Sequence, residues 1–302
     1  MVKWAGVFPA VTTKLTRDGE VDLRATNDSL DRLVTAGVSG VIVLPMLGEN
    51  ASMSLKDRGD IIRGAVEVVA GRIPVLSGLA EITLENAKAN AKLYESFGAQ
   101  GLMVFPSLGY KTDDRETVEW YKGVASASSL PIMIYNNPIA YGVDCTVNVL
   151  KQLVDTPEIV CVKEETGDIR RVTDMYVALG DRFGVFCGVD DLIVESSALG
   201  VTGWVSGMAN VWPSECVELF HLCAQNKYEE ARALYHILTP SFHLDTHVKL
   251  VQYIKLAENL VYGAPEWTRA PRLPLVGEER DFVISTIQLA IETLGKRVKK
   301  AA

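Results

Sequence analysis

Eight short apolar runs rich in β-branched residues recur along the chain, at residues 7–11, 41–44, 73–76, 101–105, 131–135, 159–163, 183–187 and 201–205. Between them the apolar positions follow a helical period, as in Leu23, Leu30, Leu33 and Val34, or Ile61, Ile62, Ala65, Val66 and Val69. Runs without polar alternation predict parallel strands covered on both faces. Eight strand and helix units in succession predict an α/β fold of the (β/α)8 barrel type. An open, doubly wound sheet shares the alternation, but no strand-to-helix turn carries a GxGxxG or P-loop pattern, so a nucleotide site has no support.

After the eighth run the pattern becomes continuously helical, with helices predicted over residues 213–223, 227–238, 242–262 and 278–299. Phe242, Leu244, Val248, Val251, Ile254, Leu256 and Leu260 all fall on helical spacing, and Pro265, Pro271 and Pro274 interrupt the chain before the last helix. This divides the chain into a barrel over residues 1–225 and a carboxy-terminal helical appendage over 226–302.

Composition narrows the class without changing the fold. Of 302 residues, 48% are hydrophobic and 23% charged, the balance of a soluble globular protein. The net charge of −8 supplies no global field for nucleic acid or an anionic membrane surface. A small anionic substrate therefore needs a local, dedicated site. Five cysteines with no CxxC pair read as small core hydrophobes, without a disulfide framework or zinc spacing. The amino terminus lacks a signal-peptide pattern and no apolar run reaches the length of a membrane span, so a reducing cytoplasm is the expected compartment.

In a parallel barrel the chemistry is built where the strands end, which directs attention to residues 45–50, 77–79, 135–138 and 163–167. Lys163 closes an apolar run. A buried amine loses hydration, which disfavours its charged form and favours attack on a carbonyl; the competing reading is a strand-end lysine that reaches solvent. Side-chain alternation groups Lys163 with Cys161 and Ile159, and Tyr135 with Met133. If those apolar residues fill the barrel, a phenol and an amine project inward from neighbouring strands, a workable acid–base pair for a carbinolamine. Taken alone, Tyr135 reads as a core tyrosine with a hydrogen-bonded hydroxyl.

Gly48-Glu49-Asn50, Tyr135-Asn136-Asn137-Pro138, Val162-Lys163-Glu164, the 188–191 and 203–210 segments and Pro271-Arg272-Leu273-Pro274-Leu275 follow one another at these strand ends. In this order they resemble the dihydrodipicolinate synthase and N-acetylneuraminate lyase superfamily over nearly the whole chain. The resemblance implies class I aldolase chemistry on small 2-oxo acids, no cofactor, and a homo-oligomer, dimer or tetramer. It makes Lys163 the Schiff-base lysine and Tyr135 the proton shuttle. Backbone amides around Met46 and Leu47 would hold the substrate carboxylate, with Gly48, Glu49, Asn136 and Ser206 completing the substrate site.

Three positions depart from the synthases. Met46 and Leu47 replace two threonines, Leu108 stands where a relay tyrosine is expected, with Tyr110 an unaligned substitute, and an arginine that binds a second carboxylate is missing near residues 139–141. These changes point away from condensation and toward a one-substrate reaction. The second loop and residues 244–255 resemble the 1-pyrroline-4-hydroxy-2-carboxylate deaminase branch of hydroxyproline breakdown. A 4-hydroxy-tetrahydrodipicolinate synthase, a 2-keto-3-deoxy-sugar acid dehydratase or aldolase, a lyase of the N-acetylneuraminate type, and a non-catalytic barrel that binds a small acid remain alternatives. A metal cluster at Glu164, Glu165, Asp168, Asp190 and Asp191 is disfavoured because a Schiff base already supplies the electron sink. Of the four histidines, His236, His243 and His247 lie beyond the barrel, and His243 and His247 share a helical spacing that could bind zinc.

Overall fold

Each apolar run forms a strand of one parallel sheet in the computed structural model, which describes residues 2–301. The strands are β1 Gly6–Pro9, β2 Val41–Val43, β3 Val75–Leu79, β4 Gly101–Val104, β5 Ile132–Asn136, β6 Ile159–Glu164, β7 Gly184–Cys187 and β8 Gly203–Ser206. Strands β2 through β8 pair with their neighbours in sequence, and β8 pairs with β1. The Val11 amide donates to the Ile42 carbonyl at 2.9 Å and closes the ring between β1 and β2. The result is the expected (β/α)8 barrel.

The helices outside it are α1 Leu23–Thr35, α2 Leu55–Val69, α3 Leu84–Ser96, α4 Asp114–Ala125, the short α5 Pro138–Tyr141 and α6 Val147–Lys151, α7 Arg170–Leu179 and α8 Ile193–Ala198. Four more follow: α9 Pro213–Ala224, α10 Tyr228–Phe242, α11 Leu250–Tyr262 and α12 Gly277–Ala301. Local chemistry fixes several starts. Ser54 with Asp57, and Asp113 with Glu116, form reciprocal capping boxes that satisfy otherwise orphaned amides at the heads of α2 and α4. Among the described residues no helix is long and apolar enough to cross a membrane.

Aromatic side chains fill the barrel interior, and small residues opposite them make the room. Phe8 and Phe186 meet edge to face at 5.4 Å, and Gly203 lies opposite Phe186 in register. A Cβ on Gly203 would fall 2.2 Å from that ring. Each buried phenylalanine contributes roughly 1.5–3 kcal/mol of hydrophobic stabilisation, which the glycine makes available.

Two differences from the sequence pattern have a clear local cause. Strand β3 starts at Val75, because Pro74 has no amide to donate to a ladder; its carbonyl instead accepts from Val41 at 3.0 Å. The helix expected over 242–262 is broken: α10 ends at Phe242, residues 243–249 form turns, and α11 begins at Leu250. Thr246 Oγ1 donates to the His243 carbonyl and the Lys249 amide donates to His247 Nδ1, local bonds that compete with helix formation. His243 and His247 therefore do not share a helix face. His243 Nδ1 pairs with Asp191 at 2.7 Å, while the His247 ring stacks on Tyr253, which removes the spacing argument for zinc.

Candidate active site

Strand β6 carries Lys163 into the barrel mouth, beside Tyr135 of β5 in register. The lysine is 6% exposed, and its Nζ lies 4.3 Å from the centroid of the Tyr135 ring. Glu165 continues the inward alternation two residues further on. Its Oε2 approaches Lys163 Nζ to 2.6 Å, a close ionic contact whose angle is not that of a hydrogen bond. Asn137 Nδ2 donates to Glu165 Oε1 at 3.0 Å and to the Tyr135 hydroxyl oxygen at 3.1 Å.

Amine, carboxylate and phenol are thus joined through one amide. Burial, reinforced by the Glu165 charge, raises the Tyr135 phenol well above its ordinary range, so it holds its proton at neutral pH. The amine meets the ring face of Tyr135, and the group directly on it is Glu165. The same alternation that selected Lys163 selects Glu165, yet the sequence reading treated that residue only as a metal candidate.

These groups line a cavity of about 20 Å³ with Met46, Leu47, Asp245 and Leu250, room for about one water molecule. Asp245 was missed because an uninterrupted helix was expected over its segment. The polar Asp245-Thr246-His247 stretch inside an apolar pattern was the available signal.

The β2 loop forms the opposite wall. Leu44 and Glu49 both adopt left-handed backbone angles, φ 55° and 56°, at the two ends of a tight turn. Each such conformation costs a non-glycine residue on the order of 1–2 kcal/mol, so surrounding contacts must impose it. Asn50 Nδ2 donates to the Leu44 carbonyl at 2.9 Å and the Gly78 carbonyl at 3.0 Å. A side chain at Gly78 would place Cβ 2.0 Å from the Leu44 carbonyl oxygen. The buried Glu49 carboxylate accepts from Lys255 Nζ at 2.6 Å, the Arg269 amide at 2.9 Å and Arg272 Nη1 at 3.4 Å. Burial lowers the Lys255 ammonium to about 8, against the opposing pull of Glu49. With the turn held in this way, the amides of Met46, Leu47 and Gly48 have no acceptor among the described residues. Consecutive free amides make an anion-binding concavity.

Other residues singled out from sequence have different surroundings. The Glu49 side chain faces away from the cavity into its own ion pairs. Asn136 lies on the opposite face of β5 from Tyr135, donating to Glu164 at 3.0 Å and accepting from the Cys145 amide at 2.8 Å. Ser206 Oγ accepts from the Ala209 amide at 2.9 Å. Tyr110 is 61% exposed in a separate surface groove of the chain, and Tyr141 packs 5.7 Å from the Tyr135 ring. Asp190 is buried beneath the site, accepting from Trp204 Nε1 at 2.9 Å and the Met208 amide at 2.7 Å, and burial raises its carboxyl to about 7.

The family model for the dihydrodipicolinate synthetase family matches residues 3–290. The chain belongs to this family. A 4-hydroxy-tetrahydrodipicolinate synthase of Exiguobacterium sibiricum is 31% identical over 283 residues, covering 91% of this chain and 92% of the relative. A probable 2-dehydro-3-deoxy-D-pentonate aldolase of Escherichia coli is 29% identical over 238 residues, covering 78% of this chain and 79% of the relative. The solved 4-hydroxy-tetrahydrodipicolinate synthase of Methylacidiphilum fumariolicum superposes with a TM-score of 0.93 at 26% identity, covering 97% and 98% of the two chains. As a dihydrodipicolinate synthetase family member the chain is an enzyme of the aldolase and lyase type. Its site departs from the expected hydroxyl relay, because Met46 and Leu47 bring apolar side chains to the cavity and Glu165 brings a carboxylate.

Proposed function

We propose that Lys163 forms a Schiff base with a 2-oxo acid or its cyclic imine, and that the reaction is 1-pyrroline-4-hydroxy-2-carboxylate deamination. The observation that carries this reading is the Glu165 carboxylate 2.6 Å from the amine, in a cavity whose Met46 and Leu47 wall offers no hydroxyl relay. A carboxylate beside an iminium is suited to removing a proton from the adjacent carbon. Lys163 is the only cation among the groups lining the cavity, which disfavours a second carboxylate and hence the synthase condensation.

Attack of Lys163 on C2 would open the ring, transferring the imine from the ring nitrogen to the lysine and leaving an amine on C5. The carboxyl group would rest on the free amides of residues 46–48. Glu165 would then take a C3 proton, with the electron pair passing into the iminium, and the C4 hydroxyl would leave as water. Tautomerisation and hydrolysis at C5 and C2 release ammonia and 2-oxoglutarate semialdehyde, with one net water consumed. A 2-keto-3-deoxy-sugar acid would undergo the same elimination, and the aldolase name of the Escherichia coli relative keeps C3–C4 cleavage as the second reading.

Parallel assays on 1-pyrroline-4-hydroxy-2-carboxylate, 2-keto-3-deoxy sugar acids, N-acetylneuraminate and the synthase substrates test the assignment. Ammonia and the semialdehyde are the expected products; predominant cleavage to pyruvate would refute elimination. The five free, buried thiols accord with a reducing cytoplasm. Exposed Ile82, Ile139 and Val177 supply apolar surface for a second copy of the chain. Light scattering should give a dimer or tetramer, and a monomer at micromolar concentration would reject self-assembly.

A further inference from the structure

The cavity contains two carboxyl groups in opposite circumstances. Glu165 is held against the amine, its Oε2 2.6 Å from Lys163 Nζ. Asp245 enters from the turn between α10 and α11 and lines the same cavity. It lies hard against the β8 end: a Cβ on Gly207 would fall 2.0 Å from Asp245 Oδ1. No donor among the described residues bonds its carboxylate, and its charged neighbours are Asp190, Glu165, Asp191 and Lys163. Burial, followed by the charges of Asp190 and Glu165, pushes the Asp245 carboxyl well above the usual range. A carboxyl on the reactive amine and a second, donor-free carboxyl in the same cavity are placed to act as a separate base and acid.

We propose that Asp245 is a catalytic residue, the acid that protonates the departing C4 hydroxyl while Glu165 takes the C3 proton. The assignment rests on the elimination reading of the site. In the step concerned, the enamine nitrogen pair returns to form the iminium, the C3–C4 double bond forms, and the C4–O bond breaks. The Asp245 proton passes to the leaving oxygen, so the group lost is water and Asp245 becomes a carboxylate. Glu165 then holds the proton taken from C3, and exchange with solvent restores both groups. No oxidant, reductant or metal enters the balance.

A leaving group that needs no proton separates this role from a structural one. Wild type and Asp245→Asn, which is nearly isosteric, would be compared on the 4-hydroxy substrate and on 2-oxo-4-chlorobutanoate, from which chloride departs unprotonated. Borohydride trapping of pyruvate at Lys163 checks that the variant retains its site. The expected result is hydroxyl elimination slowed by about 10²–10⁴-fold, the usual worth of a general acid. Adduct formation and chloride release should stay within about threefold of wild type, because neither step uses that proton. Equal slowing on both substrates, or an unchanged rate of hydroxyl elimination, would overturn the acid role alone. Wild-type enzyme that releases chloride yet dehydrates neither the cyclic imine nor a 2-keto-3-deoxy sugar acid would overturn the elimination reading, and the acid role with it.

Discussion

Replacing Lys163 with alanine is expected to remove both turnover and the borohydride-stable adduct with pyruvate. The rate loss should be on the order of 10⁴-fold or more, as for other enzymes deprived of a covalent nucleophile. Alanine also strips Glu165 of its ionic partner, so lost activity could arise from a disturbed site. Lys163→Arg separates the two effects: the guanidinium retains the charge next to Glu165 but is too weak an acid to give up a proton and free a nitrogen for attack on a carbonyl. Both variants should be inactive, with the arginine variant unfolding close to the wild-type temperature. Mass spectrometry locates the adduct in the wild type. Persistence of an adduct in Lys163→Ala would show that another amine does the chemistry, and the buried Lys255 and Lys14 are the first to inspect.

Glu49→Ala should be the most destabilising single change in the loops around the site, although the residue never touches the cavity. It would leave Lys255 buried without its carboxylate and release the Arg269 amide and Arg272. Breaking a buried ion pair from one side costs about 3–5 kcal/mol, because the surviving charge is left uncompensated. The left-handed turn at residues 44–49 would also lose its anchor, so KM for the 2-oxo acid should rise in whatever protein remains folded. Denaturant titration measures the first effect and steady-state kinetics the second. A loss below about 1 kcal/mol would show that water or a rearranged side chain replaces the carboxylate. Removing both charges with Glu49→Gln and Lys255→Met should recover part of the stability, since no isolated charge then remains.

The barrel was legible because each of its eight strands is buried on both faces, a constraint that leaves uninterrupted Val, Ile and Leu in the sequence. Lys163 and Tyr135 were legible for a related reason: each ends such a run, and alternation gives its direction. Glu165 obeys the same alternation but sits beyond the apolar run, where a carboxylate reads equally well as a solvated strand end. Asp245 could not be reached by periodicity, because Leu244, Val248 and Val251 imitate one continuous helix while the chain turns between them. Glu49 illustrates a different gap. Its loop position was visible, but its partners lie more than 200 residues away on α11 and in the segment before α12, and a pairing at that separation leaves no local pattern.

The turn between α10 and α11 reaches the barrel mouth without belonging to any strand and helix unit. Substitutions, insertions or exchanges at residues 243–249 can therefore alter the polarity beside the reactive amine while every strand keeps its neighbours and its register. An inherited scaffold with one detachable lip has two rates of change available to it, slow in the staves of the barrel and fast at the rim. Directed evolution toward new oxo acids should accordingly begin with libraries confined to that short turn.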